Sequence, residues 1–569
     1  MLDAIYLWAR RLARRIGVPI TVYRWTGSYL RRVLGLSDTL VADRREQADG
    51  RVVAALLVPF HQEAGQASKR EPLEKVLGEL GGPETFRLLV RSLWSFESRA
   101  ALEFAYFLCD QPEVELRQAA HLLLAIRSAF WRDFRGAEKF AEVYLDEADQ
   151  GSDGRQQALA VLAQAKRRLG KLDEALLINR QQSLLQPLNT RFLAERARLL
   201  ATENQREMLR LLELCDAPGA RAEELGNTLY LSYLLERKEF DEAERLARRL
   251  ETRVPGCPVG RVFLSNALTA RDGDVSALPT AFECFGIDCT ISAPSFDALR
   301  IANRQKSLKD VKDGPLVSVV LTAYNVERYV ELAVASILSQ SYLNLELIVV
   351  DDNSTDSTLE RLREIQTRDD RVRIIKNEKN SGTYLAKNAG IQNSEGDLIA
   401  LCDSDDIWTP NHLERHLEEM ATDGGLMVTT SDWLRLFDHA QIEVSPNGAI
   451  VEVCPHSTLI RREVFNRIGY FDSVRFGADR EFISRIILSY GKPSVCHIAE
   501  VLTIGRRHGA SLTSSGPGKI IRDQISGVRI DYWEAWNEWQ KEKVLKREAL
   551  INTGIPKERP YHVPIEMEP

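Results

Sequence analysis

The stretch LVSVVLTAYNVERYVELAVASILSQSYLNLELIVVDDNSTDST, residues 316–358, decides the fold class. Its opening LVSVVLTAYN is a near-continuous apolar, β-branched run, ERYVELAVASILSQ spaces its apolar residues at a helical period, and LELIVVDDNSTDST is a second apolar run that ends in polar residues. Downstream, VRIIKNE and DLIALC repeat the strand pattern. Uninterrupted apolar strands alternating with helices predict a parallel sheet covered on both faces, whose ligands collect beyond the carboxyl ends of the strands. Those ends carry Tyr324 and Asn325, Asp351 and Asp352, and Asp403, Ser404 and Asp405.

The last of these tips, LIALCDSDDIW (398–408), crowds like charges behind a buried run. On an extended strand Asp403 and Asp405 share one face, with Ser404 and Asp406 on the other. Two carboxylates on one side repel unless a cation bridges them. Oxygen ligands suit magnesium or manganese, with a substrate diphosphate completing the shell. Helix capping does not account for the cluster, because TPNHLERHLEEM supplies its own start, with Thr409 as N-cap and Pro410 in the first turn. Asp356, by contrast, is placed to cap the helix that follows the second strand.

The 569-residue chain is too long for one hydrophobic core, and 28% charged with 44% hydrophobic residues is ordinary for a soluble multidomain protein. No apolar run of about eighteen residues offers a membrane span. A net charge of −7 argues against general nucleic-acid binding. The eight cysteines show no C-x-x-C spacing and read as reduced thiols. Arg10, Arg11, Arg14 and Arg15 interrupt the first apolar segment, which therefore lacks the core of a secretory signal and implies a cytoplasmic chain. Residues 1–50 form a basic amphipathic segment, with Leu2, Ile5, Leu12 and Ile16 close to one face. It either lies peripherally on the inner face of the cell membrane or packs on neighbouring helices.

Residues 51–260 read as helical repeats. GKLDEA (170–175) and KEFDEA (238–243) set Ala175 and Ala243 sixty-eight residues apart, twice thirty-four, and Pro187 and Pro255 each follow by twelve. Gly136 and Ala141 carry the register back by thirty-four, so units begin near 122, 156, 190 and 224, the third being degenerate. The spacing resembles tetratricopeptide repeats, whose stacked helix pairs form an α-solenoid suited to a protein partner or self-association. A helical spacer is the alternative. Residues 261–314 read as irregular, ending in the charged linker RIANRQKSLKDVKDGP (300–315). In 518–569 a helix aligns Tyr532, Trp536 and Trp539 as a stripe expected to pack on the protein itself, and KERPYHVPIEMEP (557–569) receives no assigned structure.

VSVVLTAYNVERYVELAVASILSQSY, ELIVVDDNSTDST, NSGTYLAKNAGI, GDLIALCDSDDIW and GYFDSVRFGADREFISRI resemble, in order, the signatures of family 2 glycosyltransferases of the GT-A fold. The match covers roughly 315–512, within a Rossmann-like domain over 315–517, so the fold class is multidomain: α-solenoid, then GT-A α/β domain, then a carboxyl-terminal helix. The resemblance implies an inverting transfer of a sugar from a nucleotide diphosphate, a UDP-sugar in this reading, to a hydroxyl of a glycan or lipid-linked glycan acceptor in bacterial surface polysaccharide synthesis. It implies nucleotide-sugar contacts from Ala323, Tyr324, Asn325, Glu327, Asp352, Asp403 and Ser404, and a phosphate contact from Lys387, where the family more often has arginine. Asp405 and His508 are the implied ligands of manganese or magnesium. Asp479 is the implied catalytic base, with Glu481 in reserve, although Ala478 stands where the family usually has glutamate. A nucleotidyltransferase, or a non-catalytic scaffold with an inactive transferase-like domain, are the competing readings.

Overall fold

The computed structural model describes residues 99–112, 114–149, 154–185, 221–302, 314–445, 448–509, 516–518, 520–521, 524–546 and 548–569. The basic segment 1–50 and the repeat expected near 190 lie outside these residues. The chain groups into two compact units. One holds residues up to Ile178 with Ile483–Val495 and Ile530–Leu550; the other holds Asn179–Phe482, Cys496–Arg529 and Ile551–Pro569.

The first unit opens with helices α1 (Arg99–Cys109), α2 (Val114–Phe130), α3 (Phe134–Glu147), α4 (Arg155–Arg168) and the start of α5 (Leu172–Leu185). Asp133 caps α3 by accepting from the Gly136 N–H at 2.8 Å. Ala137, Ala141, Ala158, Ala165 and Ala175 have no exposure, so small side chains line the helix contacts. The tight turns fall at Arg132 (φ 64°) and Gly170 (φ 79°), thirty-eight residues apart. Gly136, expected at the turn, is therefore inside α3, and the first hairpin stands four residues out of the thirty-four-residue register. The sixty-eight-residue spacing does hold from Gly170 to Lys238, a left-handed turn residue (φ 61°) in the second unit.

In the second unit α6 (Arg221–Glu236), α7 (Phe240–Arg253), α8 (Pro258–Asp272) and α9 (Leu278–Glu283) lead into a hairpin of β1 (Asp288–Ile291) and β2 (Leu299–Ala302). Composition leaves much of this span looking irregular, but it is built. Phe263, Phe282, Phe296 and Leu299 share one buried cluster with Ile407, Leu434, Leu436, Val501 and Ile504 of the main sheet. Asn266 grips the Ile442 backbone at both ends, donating from Nδ2 at 2.8 Å and accepting at Oδ1 at 2.8 Å. Polar residues hid this core from a pattern reading because their partners lie about 175 positions away.

The main sheet contains β3 (Val317–Ala323), β4 (Leu345–Asp351), β5 (Val372–Lys376), β6 (Leu398–Asp403), β7 (Ile407–Trp408), β8 (Val428–Phe437), β9 (Val451–Arg461) and β10 (Val495–Arg507), in the order β5-β4-β3-β6-β9-β8-β10-β7. The first four are parallel, as the apolar runs require, and β9 runs antiparallel to β6. Helices α10 (Val330–Leu338), α11 (Thr358–Gln366) and α12 (Thr383–Gln392) follow successive strands; α13 (His412–Thr422), α14 (Arg462–Ile468) and α15 (Ala478–Tyr490) complete the unit, α15 passing into the first unit from Ile483. Val330, Val334 and Ile337 of α10 and Leu413 of α13 seal one sheet face with Val317, Val319, Leu347 and Val349. Gly390 lets α12 lie close on the other face: a Cβ there would stand 2.4 Å from Val320 Cγ1. Helix α13 begins at His412 with Asn411 as its cap residue, and Thr409 instead bonds the Leu502 carbonyl through its N–H at 3.0 Å.

The first unit is completed by α16 (Gly527–Leu545), which belongs to it from Ile530. Tyr532, Trp536 and Trp539 are buried as expected of the stripe, Trp536 meeting Trp131 edge-on at 6.4 Å and Trp533 meeting Phe134 at 6.5 Å. The segment KERPYHVPIEMEP does take up a defined course, with Val563 and Met567 buried. Its proline content had suggested otherwise, but its order comes from tertiary bonds to residues 468–475, beyond the reach of local propensity.

Phe296 has no exposure, and the Arg506 guanidinium stands 4.0 Å from its ring centre. Phe296→Ala should therefore destabilise the sheet-bearing unit by about 3–5 kcal/mol. Urea denaturation of the whole chain followed by tryptophan fluorescence would show it as a lowered midpoint; an unchanged midpoint would mean that the hairpin is not part of this core.

Candidate active site

The strand order reverses between β3 and β6, where Thr322 pairs with Asp403, while Ala323 pairs with Asp351 on the other side. A crevice at this reversal is where a ligand fits in such sheets. After the buried Ala323, the ring of Tyr324 is 45% exposed and Asn325 takes a left-handed conformation (φ 52°). Asn325 then ties two loops together, its N–H donating to Ser354 Oγ at 3.1 Å and its Oδ1 accepting from the Thr355 N–H at 2.8 Å. Glu327 accepts from the Ser357 N–H at 2.9 Å. Asp356 accepts from the Thr358 N–H at 3.0 Å, but the cap residue of α11 is Ser357, one position later than expected. Asn325 and Glu327 thus shape the loop walls, and Tyr324 and Asn325 are the exposed residues of this group.

Asp352 is buried, accepting from Asn377 Nδ2 at 2.7 Å, the Ser381 N–H at 3.0 Å and the Gly382 N–H at 2.8 Å. Its charge sits at the amino end of α12, where backbone N–H groups and the helix dipole favour an anion. Asp352 thereby orders the loop that leads into α12.

Helix α12 carries Tyr384 and, one turn later, Lys387. The Lys387 ammonium is buried and lies 2.8 Å from Asp403 Oδ1. The lysine's charge thus faces Asp403 at the tip of β6. Burial pushes the Asp403 carboxyl up, but the ammonium and then the His456 imidazole outweigh it and hold the group at about 2. Strand β6 stops at Asp403 and the chain turns, the Asp406 N–H reaching back to the Asp403 carbonyl at 3.3 Å. The alternation expected for residues 403–406 ends there. Asp403 and Asp406 converge instead on His456 Nε2, at 3.6 and 2.9 Å, and Ser404 is buried. Burial pushes Asp406 up to about 6. Burial also opposes a charged His456, yet Cys454, Asp403 and the bond to Asp406 raise the imidazole well above its ordinary value.

Asp405 points elsewhere, its Oδ2 lying 3.0 Å from His508 Nε2. The His508 ring packs on Tyr329 at 4.9 Å, and Tyr329 is itself covered by Arg506 at 4.4 Å. Arg506 is fully committed as well, bridging Asp297 at 2.6 Å and Asp438 at 2.9 Å. Asp405, in the turn after β6, and His508, just past β10, thus meet through a carboxylate oxygen and an imidazole nitrogen. That donor pair fits manganese or magnesium, which take the remainder of their shell from phosphate and water.

Asp479 begins α15, and Tyr384 donates to its Oδ1 at 2.9 Å. Burial and then the Asp479 charge push the Tyr384 phenol well above its ordinary value, so it remains a donor. Glu481 has no exposure, which leaves Asp479, partly exposed, as the available carboxylate. Ala478 is buried. Sequence reasoning did not single out Tyr384 or His456 as site residues and placed Asp406 only on the face opposite Asp403. The three-residue spacing from Tyr384 to Lys387 was the available signal, since it puts both on one helix face.

Residues 318–469 match the protein-family profile described as glycosyl transferase family 2. The putative colanic acid biosynthesis glycosyl transferase WcaA of Escherichia coli (strain K12) is 30% identical over 232 residues, covering 37% of this chain and 79% of that protein. The UDP-Glc:alpha-D-GlcNAc-diphosphoundecaprenol beta-1,3-glucosyltransferase WfgD of Escherichia coli is 38% identical over 108 residues, covering 19% of this chain and 42% of that protein. Among solved structures, S. aureus TarS 1-349 in complex with UDP-GlcNAc is 18% identical, covering 40% of this chain and 70% of that one, with a TM-score of 0.32. The chain spans only 31–42% of the length of the curated relatives that it matches at 38–45% identity. No helix among the described residues is long and apolar enough to cross a membrane.

Lys387→Met should leave Asp403 without its counter-ion and cost about 2–3 kcal/mol, less than for a fully buried pair because the Asp403 side chain is 34% exposed. The native Asp403 carboxyl lies at about 2, below its ordinary 3.8, so the pair's stabilisation is present above the higher value and lost as pH falls towards the lower. Urea midpoints measured at a series of pH values should fall across this window in the native chain, and less steeply in the variant. Parallel curves would remove the ion pair from the account.

Proposed function

The chain belongs to the family 2 glycosyltransferases, and from this premise we propose that it transfers a sugar, with inversion, from a UDP-sugar to a hydroxyl of a glycan or lipid-linked glycan acceptor. The observation that carries the reading is the gathering of Asp403, Asp405, His508 and the Tyr384–Asp479 pair around a strand reversal. The donor and acceptor classes are those in the name of the similar WfgD, and surface polysaccharide synthesis is the setting in the name of WcaA.

In this mechanism the nucleoside lies at the crevice beside Tyr324, between loops held by Asn325, Glu327 and Asp352. Asp405 and His508 would hold a divalent manganese or magnesium ion, which when bound supplies positive charge to offset that of the departing diphosphate. Lys387 and His456 keep Asp403 and Asp406 anionic or hydrogen-bonded in fixed positions, so the acidic tip is oriented without collapsing on itself. Asp479 accepts the proton of the acceptor hydroxyl as its oxygen attacks the anomeric carbon, and the sugar–phosphate bond breaks on the opposite side. Tyr384 orients Asp479 and Lys387 orients Asp403 from the same helix, so their separation is set by a rigid element. The paired helices over 114–185 and 221–272 are assigned to recruitment of an acceptor or protein partner.

Asp479→Asn should lower transfer roughly 10²–10⁴-fold with little change in UDP affinity, as expected for loss of a general base. Asp405→Ala should abolish the dependence of UDP binding on manganese or magnesium. A panel of UDP-sugars assayed for UDP release and thermal stabilisation tests both, since a ligand selective for the folded chain raises its melting temperature. Full transfer by both folded variants would overturn the assignment; release of pyrophosphate from nucleoside triphosphates would identify a nucleotidyltransferase instead.

A further inference from the structure

Residues 551–569 run along the loop that delivers Asp479. Asn552 brackets Gly469, its N–H donating to the Ile468 carbonyl at 3.1 Å and its own carbonyl accepting from the Tyr470 N–H at 2.8 Å. Gly469 is left-handed (φ 84°), and a Cβ there would meet the Asn552 carbonyl oxygen at 2.0 Å, so the two backbones touch. Five residues on, the Arg475 N–H donates to the Met567 carbonyl at 3.0 Å and Arg475 Nε to the Glu568 carbonyl at 2.9 Å. Between these points lies Asp472, a carboxylate with no exposure. Arg559 Nε donates to its Oδ1 at 2.9 Å and the Tyr561 hydroxyl to its Oδ2 at 2.8 Å, while Arg559 Nη2 also reaches Ser473 Oγ at 3.0 Å. The opposite side of the loop is held by α12, where Asn388 bonds the Phe471 backbone at both ends, at 2.8 and 3.1 Å.

We propose that residues 551–569 are a strap that fixes the position of Asp479, with Arg559 as its positioning residue acting through Asp472 and Ser473. The inference rests on reading Asp479 as the base. Phe471, Val474 and Phe476 anchor the loop by burial, the strap adds directional bonds to its backbone and to Asp472, and a proton acceptor must stay within hydrogen-bond reach of its substrate. Strap and helix hold the loop from two sides, and the chain enters α15 with its first carboxylate already on Tyr384. The bonds of Arg559 and Tyr561 described here go to Asp472 and Ser473, outside β3, β4 and β6. Loss of Arg559 should therefore be felt in turnover and not in nucleotide binding.

The test uses the full chain with Arg559→Gln, Arg559→Lys and the milder Tyr561→Phe, which removes a single hydrogen bond. Arg559→Gln should raise hydrogen exchange over 469–482 at least tenfold, while exchange of β3 and β4 and the calorimetric affinity for UDP stay within twofold. Turnover of the UDP-sugar cleaved by the native chain should fall at least tenfold at unchanged donor KM, Arg559→Lys should recover part of it, and Tyr561→Phe should lie between Arg559→Lys and the native chain. Unchanged exchange over 469–482, a uniform rise across the unit, or equal losses in UDP affinity and turnover would overturn the strap. Failure of the native chain itself to bind UDP would instead overturn the transferase reading, while the exchange measurement still decides whether the strap orders the loop.

Discussion

One buried ion pair, Lys387 against Asp403, joins a helix to the end of a central strand and decides what the acidic tip can do. Carboxylates at the end of a strand repel each other, and in a partly buried crevice that repulsion would either raise their proton affinity or splay the loop. The ammonium removes the conflict at Asp403, and His456 does so for Asp406. Asp405 is left to turn towards His508. A single acidic motif is thereby divided among three partners.

The same helix that supplies Lys387 supplies Tyr384, whose hydroxyl holds Asp479. Helix α12 is pressed on the sheet at Gly390, and its amino end is fixed by Asp352. Its position therefore sets the distance between the donor edge of the crevice and the carboxylate across from it. Residues that look like independent contacts in the sequence behave as parts of one frame. Asp352 and Lys387 each tie one element of this frame to another.

Much of this unit's order comes from segments outside the strand–helix alternation. The hairpin over 288–302 contributes Phe296 and Asp297, which sandwich and pair Arg506 two residues before His508. The 551–569 segment contributes Arg559 to Asp472. Both segments are polar or proline-bearing, and a reading based on apolar periodicity assigns them little structure. Their order combines a few buried apolar anchors with charge-assisted bonds to distant residues, and neither leaves a periodic trace.

Local pattern alone determined the parallel strands, the helices between them, the polar strand tips, the alanine-rich helix contacts and the burial of the Tyr532–Trp536–Trp539 stripe, because each depends on periodicity or backbone preference within about a dozen residues. It also drew attention to Asp403 and Asp405, while Asp479 and His508 came from the family resemblance. Which of them face one another was decided only by the tertiary structure. Asp403 left the face it was expected to share with Asp405 because the strand ends at Asp403, two residues short of Asp405, and Tyr384 reached Asp479 across ninety-five positions of chain. Pairings of that kind are set by how a helix seats on a sheet, a property of packed volumes that no short window of residues contains.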